Sequence, residues 1–160
     1  MAEVFILLGG NVGDKSKILG HARKLIGERI GFITKMSAVY STESWGFESP
    51  LFFNQVIVVE TALNPIDLLG QTQLIETDMG RIKKSTHYEA RIIDIDLLFY
   101  DNLHIETPEL TIPHPRIAMR KFVLIPLNEI APDKLHPVSG MKMAELLHHC
   151  QDPLKVDRND

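Results

Sequence analysis

The chain opens with a mostly apolar run over residues 3–9 that leads into Gly9-Gly10-Asn11-Val12-Gly13-Asp14. That pattern predicts a buried strand followed by a tight turn. From about 15 to 30, Ile18, Leu19, Ala22, Leu25, Ile26 and Ile30 fall on a stripe of 3.6-residue period, with Lys and Arg on the other face. This is the first helix. Residues 32–43 alternate, with Phe32, Thr34, Met36, Ala38 and Tyr40 on one side and Lys35, Ser37 and Ser41 among those on the other, while 54–62 are rich in Val and Ile. Two strands are expected, as an antiparallel pair. The segment between them, from Thr42 through Trp45, Gly46 and Phe47 to Phe52 and Phe53, is too long for a tight hairpin and is unusually aromatic. Loops of that kind often bind something.

The second helix is well punctuated, over about 65–79: Asn64 suits the N-cap, Pro65 the first helical position, Asp67 the first turn and Gly80 the position after the end. A very apolar strand follows at 92–100, and residues 101–140 are irregular, with helical character near 116–130 and again at 141–149. There is no internal repeat or linker-like shift, so a single domain over 1–160 is expected, frayed at the polar residues 155–160. The order βαββαβ is that of the ferredoxin-like α+β fold, a mainly antiparallel sheet with both helices on one face and additional C-terminal elements.

Composition narrows the function classes. Of 160 residues, 44% are hydrophobic and 24% charged, as in ordinary globular proteins, and no apolar run approaches the roughly 18 residues that a membrane span needs. No membrane association is expected. The acidic Glu3 stands where a secretory leader would be basic. One cysteine, Cys150, cannot form an internal disulfide, which fits a reducing, cytoplasmic setting. A net charge of −4 argues against nucleic acid as a partner. A monomer is expected, since no strong apolar seam is left over once the core is assigned.

The chemistry concentrates in Arg91-Ile92-Ile93-Asp94-Ile95-Asp96-Leu97-Leu98-Phe99-Tyr100. On a strand, Asp94 and Asp96 share a face with Ile92 and Leu98, and Ile93, Ile95, Leu97 and Phe99 fill the other. Two carboxylates roughly 6 to 7 Å apart, by two rises of the strand, then look the same way. Salt bridges or a solvated face would account for them; so would a hard divalent cation, for which oxygen ligands suit magnesium. The surroundings favour the second. Arg81, Lys83, Lys84 and Arg91 precede the strand and His114, Arg116, Arg120 and Lys121 follow it, a local basic cluster in an acidic chain. Cations beside metal-binding carboxylates are what a nucleotide polyphosphate requires.

Other motifs fail. No Gly-x-x-x-x-Gly-Lys-[Ser/Thr] is present, and Gly9, Gly10 and Gly13 are wrongly spaced for a dinucleotide fingerprint, so they read as a strand-to-helix turn. His148-His149-Cys150 has no complementary pair for a soft metal. His87, Tyr88 and His114 could stack on or bond to a nucleotide.

Leu8-Gly9-Gly10-Asn11-Val12-Gly13-Asp14, Tyr40-Ser41-Thr42, Phe53-Asn54, residues 76–81, Arg91-Ile92-Ile93-Asp94-Ile95-Asp96 and Pro113-His114-Pro115-Arg116 form an ordered set from about residue 4 to 132. In that set the chain resembles the 6-hydroxymethyl-7,8-dihydropterin pyrophosphokinases of folate biosynthesis. The resemblance implies transfer of the β,γ-diphosphate of ATP to the pterin hydroxymethyl group, releasing AMP. It implies that Asp94 and Asp96 hold two Mg ions, and that Arg81 and Arg91 lie near the triphosphate, with Arg91 the stronger candidate for stabilising transition-state charge. By the same resemblance Gln73, Glu76, Lys83, Tyr88, His114 and Arg120 belong to the ATP site, Glu76 accepting from ribose. Phe52 and Phe122 would sandwich the pterin, and Asn54 with the backbone around Thr42, Trp45 and Gly46 would read its edge.

Some positions depart from the family pattern. Tyr88-Glu89-Ala90-Arg91 replaces a common Trp-Gly-Pro-Arg, Lys83 replaces a frequent arginine and so offers charge without a planar fork, Gly10 replaces a usual serine, and Pro115 stands where some members have tyrosine. A non-catalytic nucleotide-binding regulatory domain on the same scaffold is the alternative. Single-stranded RNA binding is weaker, because carboxylates on the central strand would repel a phosphate backbone.

Overall fold

The computed structural model describes residues 1–42, 51–80, 82–83, 89–90 and 92–159. The apolar run at the start becomes β1 (Ala2–Gly10), and α1 (Lys15–Arg29), β2 (Gly31–Met36), β3 (Val39–Thr42), β4 (Phe52–Thr61) and α2 (Pro65–Asp78) follow. Two two-residue strands, β5 (Ile82–Lys83) and β6 (Glu89–Ala90), pair with each other ahead of β7 (Asp94–Tyr100). A small hairpin of β8 (Ile105–Glu106) and β9 (Thr111–Ile112), a 3-10 turn at Ile117–Met119, α3 (Lys121–Ile130), α4 (Met143–His149) and β10 (Val156–Asn159) complete the described residues.

The main sheet runs β10-β3-β4-β1-β7, with β2 also paired to β4, and its pairings are antiparallel. The expected ferredoxin-like α+β fold is therefore the one observed. β1 and β4 are buried on both faces, which explains their continuous apolar runs. Val4, Ile6, Leu8, Ile57 and Val59 join residues of α1 and α2 in one cluster, and Phe5, Leu7, Val56 and Val58 join α3 and α4 in another. The two early helices share a face as expected, and the later ones cover part of the opposite face. No helix among the described residues is long and apolar enough to cross a membrane.

Local signals account for the helix ends. The Asp14 side chain accepts from the Lys17 amide at 3.2 Å, and Asn64 accepts from the Asp67 amide at 2.9 Å with Pro65 at the first turn.

The structure corrects the sequence reading at several points. Where one strand is expected over 32–43, the described residues form two. The β2–β4 register shifts between Ile33 and Lys35, and the chain then breaks at Ser37 and Ala38. There the Glu129 carboxylate of α3 accepts from the Ala38 amide at 3.0 Å and from the Tyr40 hydroxyl at 2.6 Å, and Ser37 Oγ accepts from the Val56 amide at 3.0 Å. The expected common side is thus split: Phe32 and Met36 are 70% and 56% exposed, and Tyr40 is buried. A second shift lies in β7, where Phe5 pairs with Phe99 but Ile6 pairs with Leu97, leaving Leu98 as the extra residue of a bulge. Phe99 therefore departs from the side of Ile93, Ile95 and Leu97 and joins the α3–α4 cluster. The polar end, expected to fray, pairs as β10 along β3. Gly9 and Gly10 lie inside β1, opposite Asn54 and Phe53, rather than in the turn.

Phe99 is fully buried and meets the Phe5 ring edge-on at 5.7 Å, with Lys134 Nζ 4.8 Å from its centroid. Phe99→Ala is expected to cost about 3–5 kcal/mol of unfolding free energy, measured by urea titration. A loss below about 1 kcal/mol would contradict its place at the centre of the second cluster.

Candidate active site

The face of the sheet that holds Phe5 and Leu7 changes character toward the end of β1. Directly paired residues of neighbouring strands share a face. Leu7 lies between Val56 and Asp96, and Gly9 lies between Asn54 and Asp94. The register thus puts both aspartates and Asn54 on the face of the second apolar cluster. Two strand spacings of about 4.8 Å separate Asp94 from Asn54 by about 10 Å. Asp94 is exposed and Asp96 half-buried.

Two glycines make this corner possible through close approach. A Cβ on Gly9 would stand 2.7 Å from Asn54 Oδ1, and one on Gly10 would stand 2.6 Å from the Ile92 carbonyl and 3.1 Å from the Phe53 ring. Glycine at 9 leaves room for the Asn54 amide above β1. Glycine at 10 lets the chain entering β7 come against it, so the substitution of serine by glycine here has a packing basis in this chain.

A cleft of about 910 Å³ opens beside this row. Thr42, Phe52 and Asn54 line it from the sheet, Arg116 and Arg120 from the 3-10 turn and its end, and Phe122 from the first turn of α3. The Arg120 guanidinium lies 5.5 Å from the centroid of the Phe122 ring. Five residues expected from the sequence thus meet in one cleft: Thr42, Phe52, Asn54, Arg120 and Phe122. Asp94 and Asp96 lie on the same sheet face but are not among its lining.

His114 joins the basic side of this corner. Its amide donates to the Leu98 carbonyl at 3.0 Å, which ties it to the bulge of β7. Burial, and then the nearby Arg120 and Arg116 cations, lower its pKa below the ordinary imidazole value. Its Nδ1 accepts from the Arg116 amide at 3.2 Å, so the neutral ring presents Nε2–H as a donor.

Glu76 is 5% exposed and comes from α2 on the other face of the sheet. Its Oε2 accepts from the amide of Ile95 at 2.9 Å. β7 is the edge strand of the main sheet rather than the central one expected, so an outward amide of that strand has no ladder partner, and a carboxylate from α2 supplies one. The acceptor holds the peptide between the two aspartates. Sequence reading assigned Glu76 to the nucleotide and missed this anchor, because α2 and β7 are brought together only by tertiary packing. Gln73, one turn earlier on α2, is exposed. Arg81, Tyr88, Arg91, Trp45 and Gly46 lie outside the described residues, as does the side chain of Lys83.

The sequence reading also missed a wall of the cleft formed by His149 and residues 151–154. Nothing in their composition marks them. Among the described residues no group of three or more His, Cys, Asp or Glu side chains converges as a metal cage. Two carboxylates on alternate positions of one strand nonetheless fit magnesium, which binds through one or two protein carboxylates and takes other oxygens from water and phosphate.

Fold and cleft together define the class: a ferredoxin-like domain with an acidic edge strand beside a basic and aromatic cleft. Residues 5–132 match the family model described as 7,8-dihydro-6-hydroxymethylpterin-pyrophosphokinase. A 2-amino-4-hydroxy-6-hydroxymethyldihydropteridine pyrophosphokinase of Porphyromonas gingivalis is 43% identical over 141 residues, covering 86% of this chain and 95% of that protein. The protein of the same name from Bacillus subtilis is 39% identical over 128 residues, covering 79% of this chain and 76% of its own. Among solved structures, wild-type Plasmodium falciparum HPPK-DHPS with STZ-DHP superposes at a TM-score of 0.75 and 18% identity, a likeness of fold. That match covers 92% of this chain but 43% of the longer one. The chain belongs to the 7,8-dihydro-6-hydroxymethylpterin-pyrophosphokinase family, and is an ATP-dependent diphosphotransferase.

Removing the Glu76 anchor should be measurable as stability. Glu76→Ala leaves the buried Ile95 amide without this acceptor and is expected to cost about 1–3 kcal/mol in urea unfolding. Glu76→Gln, which keeps an acceptor oxygen, should cost less than half as much; equal losses would show that the hydrogen bond is not what matters.

Proposed function

We propose that the chain transfers the β,γ-diphosphate of ATP to the hydroxymethyl group of 6-hydroxymethyl-7,8-dihydropterin, giving AMP and the pterin diphosphate in folate biosynthesis. The observation that carries this reading is the register that puts Asp94, Asp96 and Asn54 on one face, beside a cleft bearing Phe52 and Phe122. The flat pterin ring stacks between the two phenylalanines, and Asn54 and Thr42 offer amide and hydroxyl groups to its hydrogen-bonding edge. Its hydroxymethyl group then points along the sheet toward Asp94.

The nucleotide lies on the basic side. Arg120 and the Nε2–H of His114 donate to its phosphates, exposed Gln73 of α2 flanks its nucleoside end with Glu76 acting through the Ile95 amide it holds, and Arg81, Lys83, Tyr88 and Arg91 complete the ATP site. Asp94 and Asp96 hold two magnesium ions, which when bound supply positive charge to the phosphate oxygens and to the attacking hydroxyl. In the transfer, the hydroxymethyl oxygen forms a bond to the β-phosphorus as the bond from that phosphorus to the α,β-bridging oxygen breaks. AMP leaves with the bridging oxygen, and the hydroxyl proton passes to solvent. Arg91 stabilises charge spread over the transferring group, so positioning and electrostatics carry the reaction without a dedicated side-chain base.

Incubation with ATP, magnesium and the pterin alcohol should release AMP one-for-one with the pterin diphosphate; ADP as the product would refute the reading. Asp94→Asn should lower kcat by about 100-fold or more with the fold intact by circular dichroism, and a rate within a few-fold of the parent would remove Asp94 from the metal site. Phe122→Ala is expected to weaken pterin binding by about 10-fold, the size of one aromatic stacking contact, as read by calorimetry. Unchanged affinity would rule out its stacking role.

A further inference from the structure

The family match ends at residue 132, yet one wall of the cleft comes from beyond it. After α4 the chain is tied back at two points. Asp152 Oδ2 accepts from the amide of Lys121 at 3.1 Å, and its Oδ1 accepts from the amide of Leu154 at 3.0 Å. Farther on, β10 pairs with β3 so that Val156 lies opposite Thr42, and Asn159 Nδ2 donates to Ser41 Oγ.

The first tie falls at a sensitive place. The first amides of a helix have no partner within it, and a short polar side chain at the N-cap usually accepts from one of them. In α3 the N-cap position is held by Arg120, whose side chain makes no capping bond. A guanidinium has no acceptor to offer. Asp152, 31 residues farther along the chain, supplies an acceptor instead and brings negative charge to the positive end of the helix. The amide it takes lies between Arg120 and Phe122, which both line the cleft.

We propose that Asp152 is a positioning residue for the pterin half of the site. It fixes the first turn of α3 and with it the plane of the Phe122 ring, while β10 steadies the strand that carries Thr42. This rests on the reading of the cleft as a pterin pocket. A phenylalanine has only two side-chain torsions, so its ring follows its backbone closely. Arg120 has a long flexible side chain that reaches the same phosphate from a shifted backbone. Loss of Asp152 therefore bears on the pterin more than on ATP.

Steady-state kinetics of Asp152→Ala and Asp152→Asn, read by AMP release, test this. Asp152→Ala is expected to raise KM for the pterin about five- to tenfold, the equivalent of one helix cap passed on to binding, while KM for ATP moves less than about twofold. Asp152→Asn keeps an acceptor oxygen and should return the pterin KM to within about twofold of the parent. In the free protein, hydrogen exchange at the Lys121 amide should quicken in the alanine variant and recover in the asparagine variant. With an active parent, an unchanged pterin KM, equal rises for both substrates, no rescue by asparagine, or unaltered exchange would each overturn the inference alone. A parent that releases no AMP would overturn the functional reading and this inference with it.

Discussion

The pairing of β1 between β4 and β7 is the constraint from which the site follows. β1 contributes Phe5 and Leu7 to one apolar cluster and Val4, Ile6 and Leu8 to the other, so a slip of one residue would turn each set to the wrong face. Burial on both sides makes such a slip costly. The register that packs the core also sets Gly9 between Asn54 and Asp94, and Leu7 between Val56 and Asp96. Positions proposed to bind are thus the continuation of positions that pack, along the same strands and on the same face.

That face serves two purposes because only part of it is covered. The helices α3 and α4 close over Phe5, Val56, Val58 and Phe99, and α3 begins where the apolar pattern gives way to the cleft. The bulge at Leu98 belongs to this division. On one side of it the aspartates alternate with Ile93, Ile95 and Leu97, which anchor the strand under α1 and α2; on the other, Phe99 turns to meet α3 and α4. One extra residue lets a single edge strand carry an acidic end and still fill both cores.

Most of the scaffold could be read from the sequence, because the signals that specify it are local. Asn64, Pro65 and Gly80 bracket α2 by their own chemistry, and the period-2 placement of Asp94 and Asp96 follows from strand geometry as far as the bulge. What could not be read depends on residues distant in the chain. Ser37 and Ala38 look like any other members of an alternating strand, and the break there needs Glu129, 91 residues from Ala38. Residues 156–159 carry no strand pattern and pair only because β3 offers an edge. Phe52, Asn54 and Phe122 entered through family resemblance rather than periodicity; the structure brings them into one cleft for a reason absent from any local window, since β4 and α3 meet only in the folded chain.

On the proposed reading, the charges of the site favour a ligand that arrives as a complex. Asp94 and Asp96 flank a peptide whose amide is held by Glu76, so three carboxylates gather around Ile95. On the proposed reading the acidic strand favours a cation beside the polyphosphate, and the cations of Arg116 and Arg120 favour a phosphate beside the metal. Each component lowers the electrostatic cost of the other, since unit charges 4 Å apart interact by about 4 kcal/mol where the effective dielectric constant is about 20. On the proposed reading, affinity for nucleotide and for divalent cation is therefore coupled, and by linkage each raises the other by the same factor. On that reading the acidic strand and the basic rim act as one device, with a metal-bound polyphosphate lying between them.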